Sequence, residues 1–488
     1  MVLRRHAAPL SRRTLLVLAG NFLGLAGVGL LASCASSPAA TMATTSSAVV
    51  PSAQKASTSS TATTARLAVS TAATATSAAT APGQKQLTLE ITSWLGQPPS
   101  LDVYKQLNTA YAKMQPGIAV KQQVITDNYA SKLTALLAGG TPPDLCETNW
   151  IESQALGTKG ALQPLDPMLS RDKINVSDYM AVAQELGRWP QQTGKYYAWY
   201  TMFATSPLFY NTALFSAAGV PPPDESWTWQ HLLEAAQKLS KPGDSPQDSV
   251  YGFHLTYFTR TLLYSFGWDY FSPDLSTCLL DSSDSIDALQ FWQDLIYKYQ
   301  VSPASAGDFA KGDQYGPFAT KRLGMAIAGS YQIAQFRTVQ GLDWDIAVPP
   351  SGPKGRIVII KGAPAHSLPA QSPHAQDAWA FLSWWTRNQT PDLVVLPGNL
   401  PSRLSALSGW VAEQKKGNAT PAHIELVYDI ASKYGKPIQV LPNNDPVKKP
   451  YYDERALILA NKEDARTGMT KACSQMTTLL KQAQAGGT

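Results

Sequence analysis

The sequence predicts an α/β fold in which mostly parallel sheets are flanked by helices. Two observations carry that expectation. From Leu87 to Leu145, β-patterned runs alternate with helical ones, the order that builds a parallel sheet with crossover helices. The chain has 488 residues, and about 400 of them follow a low-complexity N-terminal region, enough for two lobes with cores of their own.

Leu87, Leu89 and Ile91 alternate with polar residues and lead into Trp94, as an opening strand does. Leu101, Tyr104, Leu107, Tyr111 and Met114 then fall at helical spacing. Pro116-Gly117 breaks the chain, and Ile118, Val120 and Val124 supply a second strand. Tyr129 to Ala138 reads as a helix closed by Gly139-Gly140, and Pro142-Pro143-Asp144-Leu145 begins a third strand. A turn at Thr193-Gly194 leads into an aromatic strand, and the apolar run Leu208-Phe209-Tyr210 forms another. The helix through Leu214 and Phe215 stops at Gly219, with Pro221-Pro222 just beyond. Thr228 is the expected N-cap of the next helix, which carries Leu232, Leu233, Ala236 and Leu239 on one face. Tyr251–Leu255 reads as a strand and Ile286–Tyr299 as an amphipathic helix. From His374 onward the pattern is mostly helical, with Ala378, Phe381, Leu382 and Trp385 on one face.

The N-terminal residues read differently. Arg4, Arg5, Arg12 and Arg13 precede an apolar run from Leu15 to Leu31, so residues 1–34 are expected to be an export signal. Leu31-Ala32-Ser33-Cys34 resembles a lipobox, which makes Cys34 the expected lipidation site. Residues 35–86 are dominated by Ala, Ser and Thr and bury too little apolar surface to offset their ordering entropy, so a flexible stalk is expected. Removing the four signal arginines takes the formal charge from +5 to about +1, and no basic patch interleaved with aromatics argues for nucleic acid. With Cys34 lipidated, Cys146, Cys278 and Cys473 remain; no Cys/His cluster suggests a metal, no cofactor is implied, and buried free thiols are expected.

Several motifs stand in a fixed order. Gly194-Lys195-Tyr196-Tyr197-Ala198 is followed by Tyr210-Asn211, Leu214-Phe215-Ser216-Ala217-Ala218-Gly219, Pro221-Pro222 and Thr228-Trp229. Before them stand Pro143-Asp144-Leu145 and Gly160-Ala161-Leu162-Gln163-Pro164-Leu165-Asp166. After them come Leu323-Gly324-Met325-Ala326, Gly329-Ser330, Trp344 with Pro349-Pro350 and Gly352-Pro353, and Gly398-Asn399-Leu400-Pro401-Ser402-Arg403. In this order they resemble the large, mostly sugar-binding family of solute-binding proteins of bacterial ABC importers. Trp199-Tyr200 stands where Leu-Pro is usual, Gln230-His231 replaces an acidic pair, and Lys321 replaces a glycine.

The resemblance implies a two-lobed periplasmic-binding-protein-like fold with a ligand cleft between lobes. Residues 87–200 plus 330–362 are expected in lobe one and 201–329 plus 363–488 in lobe two, with the strand over Leu323–Ile327 returning the chain to the first lobe. It also implies a lipid-anchored, extracytoplasmic, monomeric receptor that closes by hinge motion and hands its solute to a membrane permease. A saccharide needs aromatic platforms for its C–H faces and paired polar groups for its hydroxyls. In doubly wound lobes ligands lie beyond the carboxyl ends of strands. That rule nominates Trp94, Thr148, Asn149, Trp150, Trp199, Tyr200, Tyr257, Trp268, Ser330, Tyr331, Gly362, Asn399 and Arg403. Each aromatic has lobe core as its alternative, and Arg403 either forks onto the ligand or ties down its own loop. Trp292, Trp379, Trp384 and Trp385 sit on helical patterns and are expected core, Asp144 a structural acid, and Lys448-Lys449 a solvated pair.

No catalytic function is expected. An exported glycosidase would need two carboxylates facing each other across a cleft, and although Glu147, Asp269 and Asp281 are available, none stands in a catalytic motif. A receptor for a polyol, sugar phosphate or peptide stays open.

Overall fold

The computed structural model describes residues 86–94, 100–191, 193–255, 259–304, 316–362, 364–387 and 399–485. The chain divides into two units, 1–75 and 76–488, and every described residue lies in the second. The expected export signal, Cys34 and nearly all of the expected stalk fall outside the described residues.

In chain order the body opens with β1 (Leu87–Ser93), α1 (Ser100–Met114), β2 (Ile118–Val124), α2 (Tyr129–Ala138), β3 (Leu145–Thr148) and α3 (Trp150–Thr158). After short turns come β4 (Trp199–Tyr200), β5 (Met202–Ala204), β6 (Leu208–Asn211), α4 (Thr212–Ala218) and α5 (Trp229–Leu239). Next are β7 (Tyr251–Leu255), α6 (Arg260–Phe266), α7 (Ser283–Tyr297), β8 (Leu323–Ile327) and β9 (Trp344–Ala347). The chain closes with β10 (Val358–Gly362), β11 (Ala365–Ser367), α8 (Ala375–Arg387), β12 (Leu400–Pro401), β13 (Gly435–Pro437), α9 (Asn444–Leu459) and α10 (Ala465–Ala485). Local signals act as expected: Thr228 caps α5 by accepting from the His231 N–H, and Gly219 ends α4 at φ 63°.

Three sheets organise the body. The first runs β2-β1-β3-β11-β4, with β1 parallel to both β2 and β3. The second runs β9-β6-β8-β7, and the third β12-β5-β10-β13. The strands of the third sheet lie where the chain passes between the other two: β5 follows β4 out of the first, and β10 joins β9 to β11.

This topology corrects the expected lobe assignment. β9 lies inside residues 330–362, yet it pairs with β6, and β8 likewise stays in that second sheet. β11, within 363–488, pairs instead with β3 and β4 of the first sheet. Helix α8 follows it, burying Ala378, Trp379, Phe381, Leu382 and Trp385 against Leu89, Ile91, Tyr104, Leu107 and Tyr111. The apolar face of α8 is as expected, but its partner is the first sheet. A second core joins α5 and α7 with the C-terminal Val447, Tyr451, Met469 and Met476.

Two further expectations fail. Cys278 and Cys473 form a disulfide with Cα atoms 5.8 Å apart, leaving Cys146 as a buried free thiol. Lys448 is 1% exposed, because it lies three residues before Tyr451 on the face of α9 that packs inward. Lys449, one residue on, points outward to Asp453. Among the described residues no helix is long and apolar enough to cross a membrane, and no His, Cys, Asp and Glu gather as a metal would require.

Candidate ligand-binding site

The carboxyl ends of β1 and β3 form one rim. It is held by a buried acid: Glu147 is fully enclosed, accepts the Trp94 backbone N–H at 2.8 Å through Oε2, and accepts the Tyr104 hydroxyl through Oε1. Tyr104 also lies 3.2 Å from His366 Nε2, and burial depresses the His366 imidazole to about 3. Glu147 is thereby committed to the frame. Trp94 itself is half-buried and packed edge-on against Tyr129 at 5.1 Å.

Thr148 is buried and its hydroxyl lies 2.7 Å from that of Ser367, so it fastens β3 to β11. Asn149 caps α3, its side-chain oxygen accepting from the Ile151 and Glu152 N–H groups while the Glu152 carboxylate accepts from Asn149 N–H. Trp150, half-buried, packs against the second core and also against a small cluster of Leu186, Ala198, Tyr200 and Ala365.

In the second sheet the corresponding carboxyl ends are those of the parallel pair β7 and β8. Ser330 is buried and turned inward, its hydroxyl accepting the Thr205 N–H at 3.2 Å and its own N–H donating to Thr205 O. Tyr331 is half-buried and folds back over Gly329, where an added Cβ would meet its ring at 2.2 Å; only glycine leaves room for that ring. Tyr257 lies outside the described residues.

The remaining nominees divide. Trp199 is 1% exposed and packs edge-on against Tyr179 and Tyr196 at 5.0 and 5.4 Å, so it is first-lobe core and is withdrawn as a platform. Tyr200 is fully buried with an unpartnered hydroxyl, and burial pushes its pKa up. Trp268 is 1% exposed among Tyr264, Tyr270 and Tyr451, and its indole N–H has no acceptor. Gly362 ends β10 opposite Phe203, and Asn399 is half-buried just ahead of β12. Arg403 donates to Asp178 at 2.8 Å and to the Arg387 carbonyl, which makes it a loop tie. Asp144 is structural as expected, accepting from Glu90 N–H and the Ser372 hydroxyl.

Sequence reasoning missed Arg260, Tyr270, Lys448 and Tyr451, which gather around Trp268. The Tyr451-Tyr452 doublet was the available signal, and only the folding of α9 onto the second core places it there. A cavity of about 720 Å³ bordered by Tyr179, Gln184, Arg188, Tyr196 and Tyr428 contains none of the nominated residues.

Residues 97–390, more than half of the chain, match the family described as bacterial extracellular solute-binding protein. Over 298 residues the chain is 24% identical to the maltotriose-binding protein of Pyrococcus abyssi; the match takes in 60% of this chain and 61% of that relative's length. The fold is similar to that of an ABC substrate-binding protein of Listeria monocytogenes in complex with cycloalternan, with a TM-score of 0.69 and 21% identity over 81% of this chain and 99% of the other. It is also similar to the GacH receptor of Streptomyces glaucescens, solved unliganded and with acarbose, at a TM-score of 0.67 and 18% identity over 81% and 99%. At these identities the structural likeness speaks for the fold, and the family match for descent. This protein belongs to the bacterial extracellular solute-binding proteins.

Proposed function

We propose that this chain is the extracytoplasmic receptor of an ABC importer, tethered through Cys34, that closes around an oligosaccharide and delivers it intact to a membrane permease. The observation that supports the reading is that Trp94, Trp150 and Tyr331 are half-buried aromatics just beyond the carboxyl ends of strands, where a ligand is expected in doubly wound lobes. Partial burial of this kind suits a platform that is fixed by the fold and still accessible to a sugar C–H face. The third sheet suits hinge motion, because its strands lie at the crossings between the other two. The names of similar proteins, a maltotriose binder and a cycloalternan complex, favour an oligosaccharide as the guest.

Catalysis has little support from the acids: Glu147 holds Trp94 and Tyr104, and Asp269 pairs with Lys436 at 2.9 Å. The test is to titrate the purified full chain with maltotriose and mannotriose, following both the melting temperature and chromatography of the sugar. Stabilisation with the sugar recovered unchanged is the expected result. Cleavage of the sugar, or indifference to every saccharide offered, overturns the proposal.

A further inference from the structure

The second core carries a concentration of positive charge that packing alone does not call for. Arg260 opens α6, five residues beyond the end of β7, at the same edge of the second sheet from which Ser330 and Tyr331 emerge. Its Nη2 donates to the Tyr270 hydroxyl at 2.7 Å and the Tyr452 hydroxyl at 3.1 Å, while its enclosed Nε has no acceptor among the described residues. Among the described residues the buried Lys448 reaches the Gln439 carbonyl, at 2.5 Å, and the face of Tyr270, at 4.5 Å. Lys436 and Arg455 complete the group, over the Tyr264 ring at 4.1 Å and the Tyr451 ring at 5.3 Å.

Against these four cations stands Asp269, already paired with Lys436. Among the described residues neither Arg260 nor Lys448 forms an ion pair; Asp269, and then Asp445, act on Lys448 only through space. Burial, and then Arg260, push the Lys448 ammonium well down. A buried cation without an ion-paired carboxylate is costly, and aromatic faces recover only part of that cost. The unpartnered indole N–H of Trp268, wedged between Tyr270 and Tyr451 at 4.7 and 5.1 Å, is a second, independent sign of a missing acceptor.

We propose that this cluster is an anion subsite which takes the carboxylate or phosphate of an acidic saccharide, with Arg260 and Lys448 as counter-charges and Trp268 as a neutral donor. The inference rests on the receptor reading and narrows its substrate class. A guanidinium presents a planar fork to such an anion, and a desolvated ammonium adds a point charge beside it. A neutral oligosaccharide would leave those donors as they are.

The test is calorimetric titration of the full chain with digalacturonate, its neutral counterpart galactobiose, glucose 6-phosphate and maltotriose, at low and high salt. At least one acidic ligand should bind ten or more times tighter than the neutral ones, with a preference that weakens as salt rises. Digalacturonate as the tight arm identifies a carboxylate, and glucose 6-phosphate a phosphate. In Lys448→Met and Arg260→Gln the ratio of acidic to neutral affinity should fall towards one, and Arg260→Lys should restore part of it. Lys448→Met replaces a buried polar head group with an apolar one at similar volume, so its melting temperature should not fall, which separates lost binding from lost folding. Neutral sugars binding as tightly as acidic ones would overturn the subsite and leave the receptor standing. Failure of every saccharide to bind would remove the receptor reading and the subsite with it.

Discussion

Two tryptophans that look alike in the sequence should behave in opposite ways. Trp94 and Trp199 both sit at β-strand ends in aromatic surroundings, but Trp199 is 1% exposed beneath Tyr179 and Tyr196, whereas Trp94 touches Tyr129 edge-on and stays half open. Truncating a fully buried tryptophan to alanine costs about 3–5 kcal/mol, since the lost contacts leave a cavity the neighbours only partly fill. A body of about 400 residues unfolds with an entropy of about 0.8 kcal/mol/K. Trp199→Ala should therefore melt about 4–6 °C below the parent. Trp94→Ala forfeits roughly 1 kcal/mol of edge-to-face contact, about 1 °C, and should instead weaken saccharide binding by tenfold or more. Differential scanning calorimetry of both variants beside a titration with the best-binding saccharide reads the two effects separately. If Trp199→Ala melts within 1 °C of the parent, or if Trp94→Ala is the less stable variant, the burial argument is wrong.

Other consequences are equally accessible. The Cys278–Cys473 bond closes a loop spanning 195 residues of sequence, for which loop-closure entropy sets a ceiling of about 5 kcal/mol, so Cys278→Ser or added reductant should lower the melting temperature while Cys146→Ser with the disulfide intact should respond far less. His366 is held neutral by burial down to about pH 3, below its unfolded value of about 6.5; the unfolded chain takes up the proton first, so this residue's contribution to stability is complete above about pH 6.5 and is lost as pH falls towards 3, at up to about 1.4 kcal/mol per pH unit. Urea titrations between pH 7 and 4 should show a shallower decline in His366→Gln than in the parent. Asn149→Ala removes the cap of α3 and should cost about 1 kcal/mol, read in the same melts, with a larger effect on binding because Trp150 begins that helix.

What the sequence by itself determined are features settled within a few residues. The alternation of Leu87, Leu89 and Ile91, the helical spacing of Tyr104, Leu107 and Tyr111, the Thr228 cap and the Gly219 stop depend on near neighbours, and each stands where its pattern put it. The ordered motifs from Asp144 to Arg403 likewise sufficed for the family. Tertiary structure decided the rest. Whether Trp94 or Trp199 faces solvent depends on what is laid over it, and Trp199 is covered by Tyr179 and Tyr196 in a core that α8 helps to close from almost two hundred residues further along the chain. The same reason moved β9 to the second sheet and β11 to the first, joined Cys278 to Cys473, and turned Lys448 inward against Tyr270. Burial and pairing across such separations are properties of packing, which side-chain order along a single strand or helix does not encode.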